Sequence, residues 1–155
     1  MSHKEIERYA TTLSSLESAE GDEPEETQLL RSMGADARKY LAALPWCGRI
    51  RDGYFGDGVG GVVGVFLFRI EPKSNADEWV WVVNGDLPEA YFVTDRSPTA
   101  FDALETYCEM MSDWVEAVRS GGSLRNVFPV AAPATKDAAK SLASLVEFIR
   151  TEILG

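Results

Sequence analysis

The stretch that decides the fold runs Ser97-Pro98-Thr99-Ala100-Phe101-Asp102-Ala103-Leu104-Glu105-Thr106-Tyr107-Cys108-Glu109-Met110-Met111-Ser112-Asp113-Trp114-Val115-Glu116-Ala117-Val118-Arg119. At about 100° per residue, Asp102, Glu105, Glu109, Asp113 and Glu116 fall in a window of about 80° with no Lys or Arg between them. Phe101, Leu104, Cys108, Met111, Val115 and Val118 form an apolar stripe on the opposite side, widened by Tyr107, Met110 and Trp114. Such a helix buries one broad face and holds a row of carboxylates outward. Ser97 reads as its N-cap with Pro98 at the first helical position, and Ser120-Gly121-Gly122 reads as its end.

Beyond it, Leu124, Val127, Phe128 and Val130 sit in a proline-containing stretch over 123–134 that predicts an extended segment laid on the core. A last helix is predicted from about Thr135 to Ile153, with Ala138, Leu142, Leu145, Val146, Ile149 and Ile153 on one stripe. Upstream lie four predicted strands: Arg49 to Phe55, Val62 to Ile70, Trp79 to Val83 and Ala90 to Thr94. A glycine-rich turn joins the first two, and Glu71-Pro72-Lys73-Ser74-Asn75 the next pair. Connections this short make an antiparallel meander. Strands apolar on both faces need cover on both sides, from the N-terminal segments or from another subunit.

The span Glu25 to Leu44 predicts a further helix, with Leu29, Leu30, Met33, Ala37, Tyr40, Leu41 and Leu44 at helical period and Pro45 as its stop. Gly34 inside it costs about 1 kcal/mol against Ala, and such a glycine commonly admits a close neighbour. Between Glu17 and Glu26 six of ten residues are acidic and none is basic, which reads as a solvated linker running into the helix start. Residues 3 to 18 are predicted as a short helix bearing Ile6, Tyr9, Leu13 and Leu16. The expected organisation is an N-terminal helical or mobile arm over 1–21, then a single α+β domain over 22–155 in the order α-α-ββββ-α-α.

A net charge of -10 argues against nucleic acid and anionic membranes as partners, since both are bound chiefly through neutralised phosphates. The longest apolar run, Val62 to Phe68, is far too short to span a bilayer. The polar start and two free thiols, Cys47 and Cys108, predict a cytoplasmic protein. A single histidine, His3, excludes Ser-His-Asp and Cys-His catalysis and histidine-based zinc sites. No catalytic set, metal site or cofactor is expected.

Gly56-Asp57-Gly58-Val59-Gly60-Gly61 satisfies G-x-G-x-x-G, but it opens a strand where a dinucleotide loop must open a helix. No kinase lysine, H-R-D or D-F-G follows it, so the motif reads as a hairpin. Glu105, Glu109 and Asp113 stand at i, i+4 and i+8, a row that reads first as a plain solvated face, next as a contact for a basic protein surface, and last as a cation site, since one helix cannot surround an ion. Asp86, Glu89 and Asp95 flank the last two strands around an Asn84-Gly85 turn signal. Trp79 and Trp81 share one strand face, either as core or as a platform for a dimer or ligand.

The run Trp81-Val82-Val83-Asn84-Gly85-Asp86-Leu87-Pro88, followed by a Ser97-Pro98 helix carrying Trp114, resembles small uncharacterised bacterial proteins. In those, a W-V-V-x-G-D-L-P-like strand and turn precede an amphipathic helix. The resemblance implies a bacterial cytoplasmic protein and no catalytic residues. The leading expectation is a non-enzymatic acidic protein-binding domain, immunity- or chaperone-like, that binds a protein or self-associates through Glu105, Glu109, Asp113, Glu116, Trp79 and Trp81. The alternative is a small-molecule or carboxylate-based enzymatic site between the glycine hairpin and the Asp86 loop, using Asp57, Asp86 and Tyr91.

Overall fold

Along the most apolar strand, side chains alternate between two cores: Val63, Val65 and Leu67 enter one, Phe66, Phe68 and Ile70 the other. A strand buried on both faces requires helices on both faces, and the computed structural model shows them. It describes residues 3–73, 78–95 and 97–155. In chain order the elements are α1 (His3–Ala10), β1 (Ser14–Ser15), α2 (Pro24–Ala42), β2 (Cys47–Val59), β3 (Val63–Pro72), β4 (Trp79–Gly85), β5 (Ala90–Val93), α3 (Ala100–Ser120) and α4 (Lys136–Phe148). A 3-10 turn at Leu16–Ser18 follows β1, and a π-helical turn at Ile149–Ile153 extends α4. The sheet is wholly antiparallel in the order β1-β2-β3-β4-β5.

Helix α2 covers one face through Leu30, Met33, Ala37 and Leu41, against Phe66, Phe68, Ile70, Val80 and Val82. Helices α1, α3 and α4 cover the other through Ile6, Leu104, Met111, Leu142 and Val146, against Val65, Leu67, Trp79, Trp81, Val83 and Phe92. The chain therefore covers its own sheet, and no second subunit is needed for that. Full burial of each large apolar side chain contributes about 1.5–3 kcal/mol, so this two-sided sheet is the main source of stability.

The α+β class is as the sequence predicts, with one strand more than the meander of four. Pairing of Ser14 with Phe55 and Ser15 with Tyr54 makes the fifth strand. Two residues carry no periodicity, and the helix expected over 3–18 stops at Ala10. The N-terminal segment, expected as an arm over 1–21, is built into the same body across its described residues. Ile6, Ala10, Leu16 and Ala19 are all buried, and Tyr9 packs edge-on to Trp81 with ring centroids 6.1 Å apart.

Strand β2 outruns its expected end at Phe55: the ladder continues through Asp57↔Val65, Gly58↔Gly64 and Val59↔Val63, leaving only residues 60–62 for the turn. Helix α3 starts later than expected. Its N-cap is Thr99, whose hydroxyl accepts from the Asp102 amide, whereas the Ser97 hydroxyl is taken up by Thr106 at 2.9 Å. Phe101, expected in the buried stripe, is 49% exposed. The small Ala100 and Ala103 face inward instead and bring the helix close to the sheet. The turn expected over Glu71 to Asn75 lies partly outside the described residues.

Candidate ligand-binding cleft

The fold leaves a concavity where α2 does not reach the far edge of the sheet. A cleft of about 850 Å³ opens there, with Met33, Asp36, Lys39 and Tyr40 of α2 as one wall. The β4–β5 turn with Asn84, Gly85, Leu87, Pro88 and Glu89, then Tyr91 of β5, forms the other. Gly61 at the β2–β3 turn and Phe128, Pro129 and Ala131 of the segment before α4 complete the lining. The volume is in the range of ordinary small-molecule sites.

The walls are held by tertiary hydrogen bonds. The Asn84 side-chain amide donates to the Met33 carbonyl at 2.8 Å, fixing the end of β4 to α2. The Tyr107 hydroxyl, from α3 on the opposite side of the sheet, donates to the Pro88 carbonyl at 2.8 Å. The Asp86 amide donates to the Val62 carbonyl at 2.9 Å, so one turn is pinned on the other. Gly60 N donates to Glu26 Oε2 at 3.2 Å, which fastens the β2–β3 turn to α2. Gly85 sits at φ +139, where a Cβ would lie 2.2 Å from the Val62 carbonyl oxygen. Only glycine allows so close an approach.

The polar groups of the cleft are mostly acceptors. Asn84 is 4% exposed, and its Oδ1 has no hydrogen-bond partner among the described residues. Partial desolvation of the exposed Glu89 side chain, and next the neighbouring Asp36 carboxylate, hold its acid above the ordinary range. Burial, then Glu89 and Tyr91, push the Tyr40 phenol up, so it stays neutral at physiological pH. Trp46 packs on Tyr91 with centroids 5.0 Å apart.

Of the residues singled out from the sequence, Tyr91 lies in the cleft; Asp57 and Asp86 do not line it. Both are exposed, and Asp57 Oδ1 accepts from the next amide, Gly58 N, at 2.8 Å. Glu105, Glu109, Asp113 and Glu116 are exposed on α3. Among the described residues they make no ion pair; Arg69 makes two, with Glu7 and Glu78. Trp79 and Trp81 are core residues, 4% and 0% exposed, and offer no platform to a partner. The sequence reading missed Asp36, Lys39 and Tyr40 as a wall, and read Asn84 only as a turn residue.

A smaller groove of about 350 Å³ runs between α3 and α4 past Glu116, Arg119, Glu147 and Arg150. Nearby, burial pushes the Cys108 thiol up to about 11, an effect that Arg150 partly offsets. Cys47 and Cys108 are both buried and free. Among the described residues no group of three His, Cys, Asp or Glu side chains converges as a metal site, and no helix is long and apolar enough to cross a membrane. Compared with known protein families, curated proteins and solved structures, the chain matches none.

Proposed function

We propose that this chain is a binding domain and not a catalyst, and that it recognises its ligand in the cleft between α2 and the β4–β5 turn. The observation that carries the reading is the cleft itself, about 850 Å³ and lined by both apolar and polar side chains, among them Met33, Leu87, Asp36, Tyr40, Glu89 and Tyr91. The hydrogen bonds to Val62, Met33 and Pro88 fix the turn beforehand, so little ordering cost is left for binding. Among the described residues no nucleophile–base pair lines the cleft.

The test is native mass spectrometry of protein purified under gentle conditions, paired with amide-shift mapping as small-molecule mixtures are added. Shifts clustered at Asn84, Gly85 and Tyr91 are the expected result. Shifts confined to other surfaces would remove the cleft from the reading.

A second reading, recognition of a basic protein surface, is supported by four exposed α3 carboxylates that no ion pair satisfies among the described residues. Charge-driven association of this kind weakens as salt rises. A complex that survives molar salt, or ignores Glu109→Lys combined with Asp113→Lys, would count against it.

A further inference from the structure

We infer that β5 is a docking edge: an extended, basic segment of another protein adds beside it as a sixth strand of the sheet. The inference is carried by the sheet edge and stands apart from the reading of the cleft, which the edge meets at Tyr91.

The ladder fixes which backbone groups of β5 are free. Between β3 and β4 the register runs without a break. Its flanking bonds set the phase: Ile70 N donates to the Glu78 carbonyl at 2.8 Å, and Asp86 N to the Val62 carbonyl at 2.9 Å. Bonded pairs alternate along an antiparallel ladder, so Val80, Val82 and Asn84 turn their N–H and C=O to β3. Trp81 and Val83 therefore turn theirs to β5, where they face Phe92 and Ala90. The N–H and C=O of Tyr91 and Val93 are left pointing away from the sheet. Among the described residues no hydrogen bond reaches them. Val93 is 38% exposed and Tyr91 is half-buried.

The opposite edge is guarded. Strand β1 covers Tyr54 and Phe55, and the rest of β2 has three breaks in register and exposed Arg49, Arg51, Asp52 and Asp57. Bulges and charges of this kind discourage a further strand. Strand β5, Ala90-Tyr91-Phe92-Val93, has no charge, proline or bulge. Alternating free donors and acceptors along such an edge are met by another extended backbone. Charge decides whose backbone it is. A second copy would bring together two chains of net charge -10, and exposed Glu89 and Asp95 bracket the edge. A strand carrying Lys or Arg gains opposite-charge neighbours across the pair. The cleft beside Tyr91 leaves room for a side chain of that strand.

The probe is the blocked peptide acetyl-Val-Lys-Val-Lys-Val-Lys-amide, titrated into the protein and followed by amide hydrogen exchange. In the free protein the Ala90 and Phe92 amides should exchange slowly and those of Tyr91 and Val93 fast. The peptide should slow the latter two by at least about tenfold. Its acidic counterpart, with Glu in place of Lys, should bind at least about fivefold more weakly. Val93→Pro removes an outward N–H and no bond of the ladder, so the variant should fold, with its thermal midpoint as the check. It should weaken the basic peptide by at least about tenfold. Two further probes, N-methylated at every valine or at every lysine, test the main chain without any variant. At least one of them should lose about tenfold, since one set donates to β5. Equal binding of the acidic peptide overturns the basic partner. Tyr91 and Val93 amides that slow with protein concentration alone assign the edge to a second copy and overturn the partner as well. Failure of every peptide to slow these two amides, or undiminished binding by both N-methylated probes, overturns the edge itself. The cleft reading is tested separately, by small molecules that shift Gly85 in the absence of peptide.

Discussion

The indole N–H of Trp81 donates to the carbonyl oxygen of Ser97 at 2.6 Å, and both residues are fully buried. One bond thus ties the interior strand β4 to the segment that leads into α3, with Tyr9 packed on the same ring. Trp81→Phe would leave the Ser97 carbonyl without its donor and a gap beside Tyr9. A loss of about 2–4 kcal/mol is expected in urea unfolding, with the slope unchanged. A loss under 1 kcal/mol would mean that the Ser97 carbonyl finds another donor.

Gly34, predicted to admit a close neighbour, does so. A Cβ there would lie 3.2 Å from Leu16 Cδ2 and 3.3 Å from Phe66 Cε1, tighter than ordinary contact. Two effects oppose each other in Gly34→Ala: a helix-propensity gain of about 1 kcal/mol and a few tenths of an ångström of forced movement. The expected net change is within about 1 kcal/mol of zero. Gly34→Val keeps the crowding, adds two methyls and loses the propensity gain, so it should cost about 1–3 kcal/mol. Thermal melts of the two variants give the comparison directly.

What could be read from sequence follows from how each element earns its burial. Helices α2, α3 and α4 each bury a long stripe, and β3 and β4 are apolar on both faces, so period and composition identify them. Strand β1 exists through its partner Tyr54-Phe55, a tertiary cause that no local pattern encodes. The cap of α3 moved from Ser97 to Thr99 because Ser97 is spent on Trp81 and Thr106, contacts set by distant residues. The same holds for the cleft. Tyr91 lies on a strand that the sequence predicts and Asn84, expected in a turn, lies near the end of β4, but Asp36 and Tyr40 gain meaning only once α2 is set over the sheet. Asp57 sits on a paired strand of the sheet and satisfies the next amide, which a count of nearby carboxylates does not foresee.

The two thiols carry a prediction about reactivity. Cys47 and Cys108 are buried, and burial raises both above the ordinary thiol range, Cys108 to about 11. The thiolate is the reactive form. The native protein at pH 8 should therefore react with a disulfide reagent far more slowly than the unfolded chain, releasing two equivalents of thiol only in denaturant. Fast native labelling of Cys108 would show that α4 opens readily from α3.

Glu89 links the cleft to pH. It lies near Asp36 and Tyr40 of α2 and shares the cleft with Lys39 and Tyr91, and partial desolvation, then Asp36, raise its acid above the ordinary 4.5. The native state then holds this proton more tightly than the unfolded chain does, so the linkage has a definite sign. The contribution of Glu89 to stability is fully present below 4.5 and is lost as pH rises through the raised native value. Glu89→Gln, which stays uncharged, should raise the thermal midpoint at pH 7 slightly, and the difference from the parent should shrink towards zero at pH 4. Carboxyl carbon shifts followed across pH give the native titration independently. A Glu89 midpoint below 4.5 would mean that a cation, Lys39 above all, sits between the two acids.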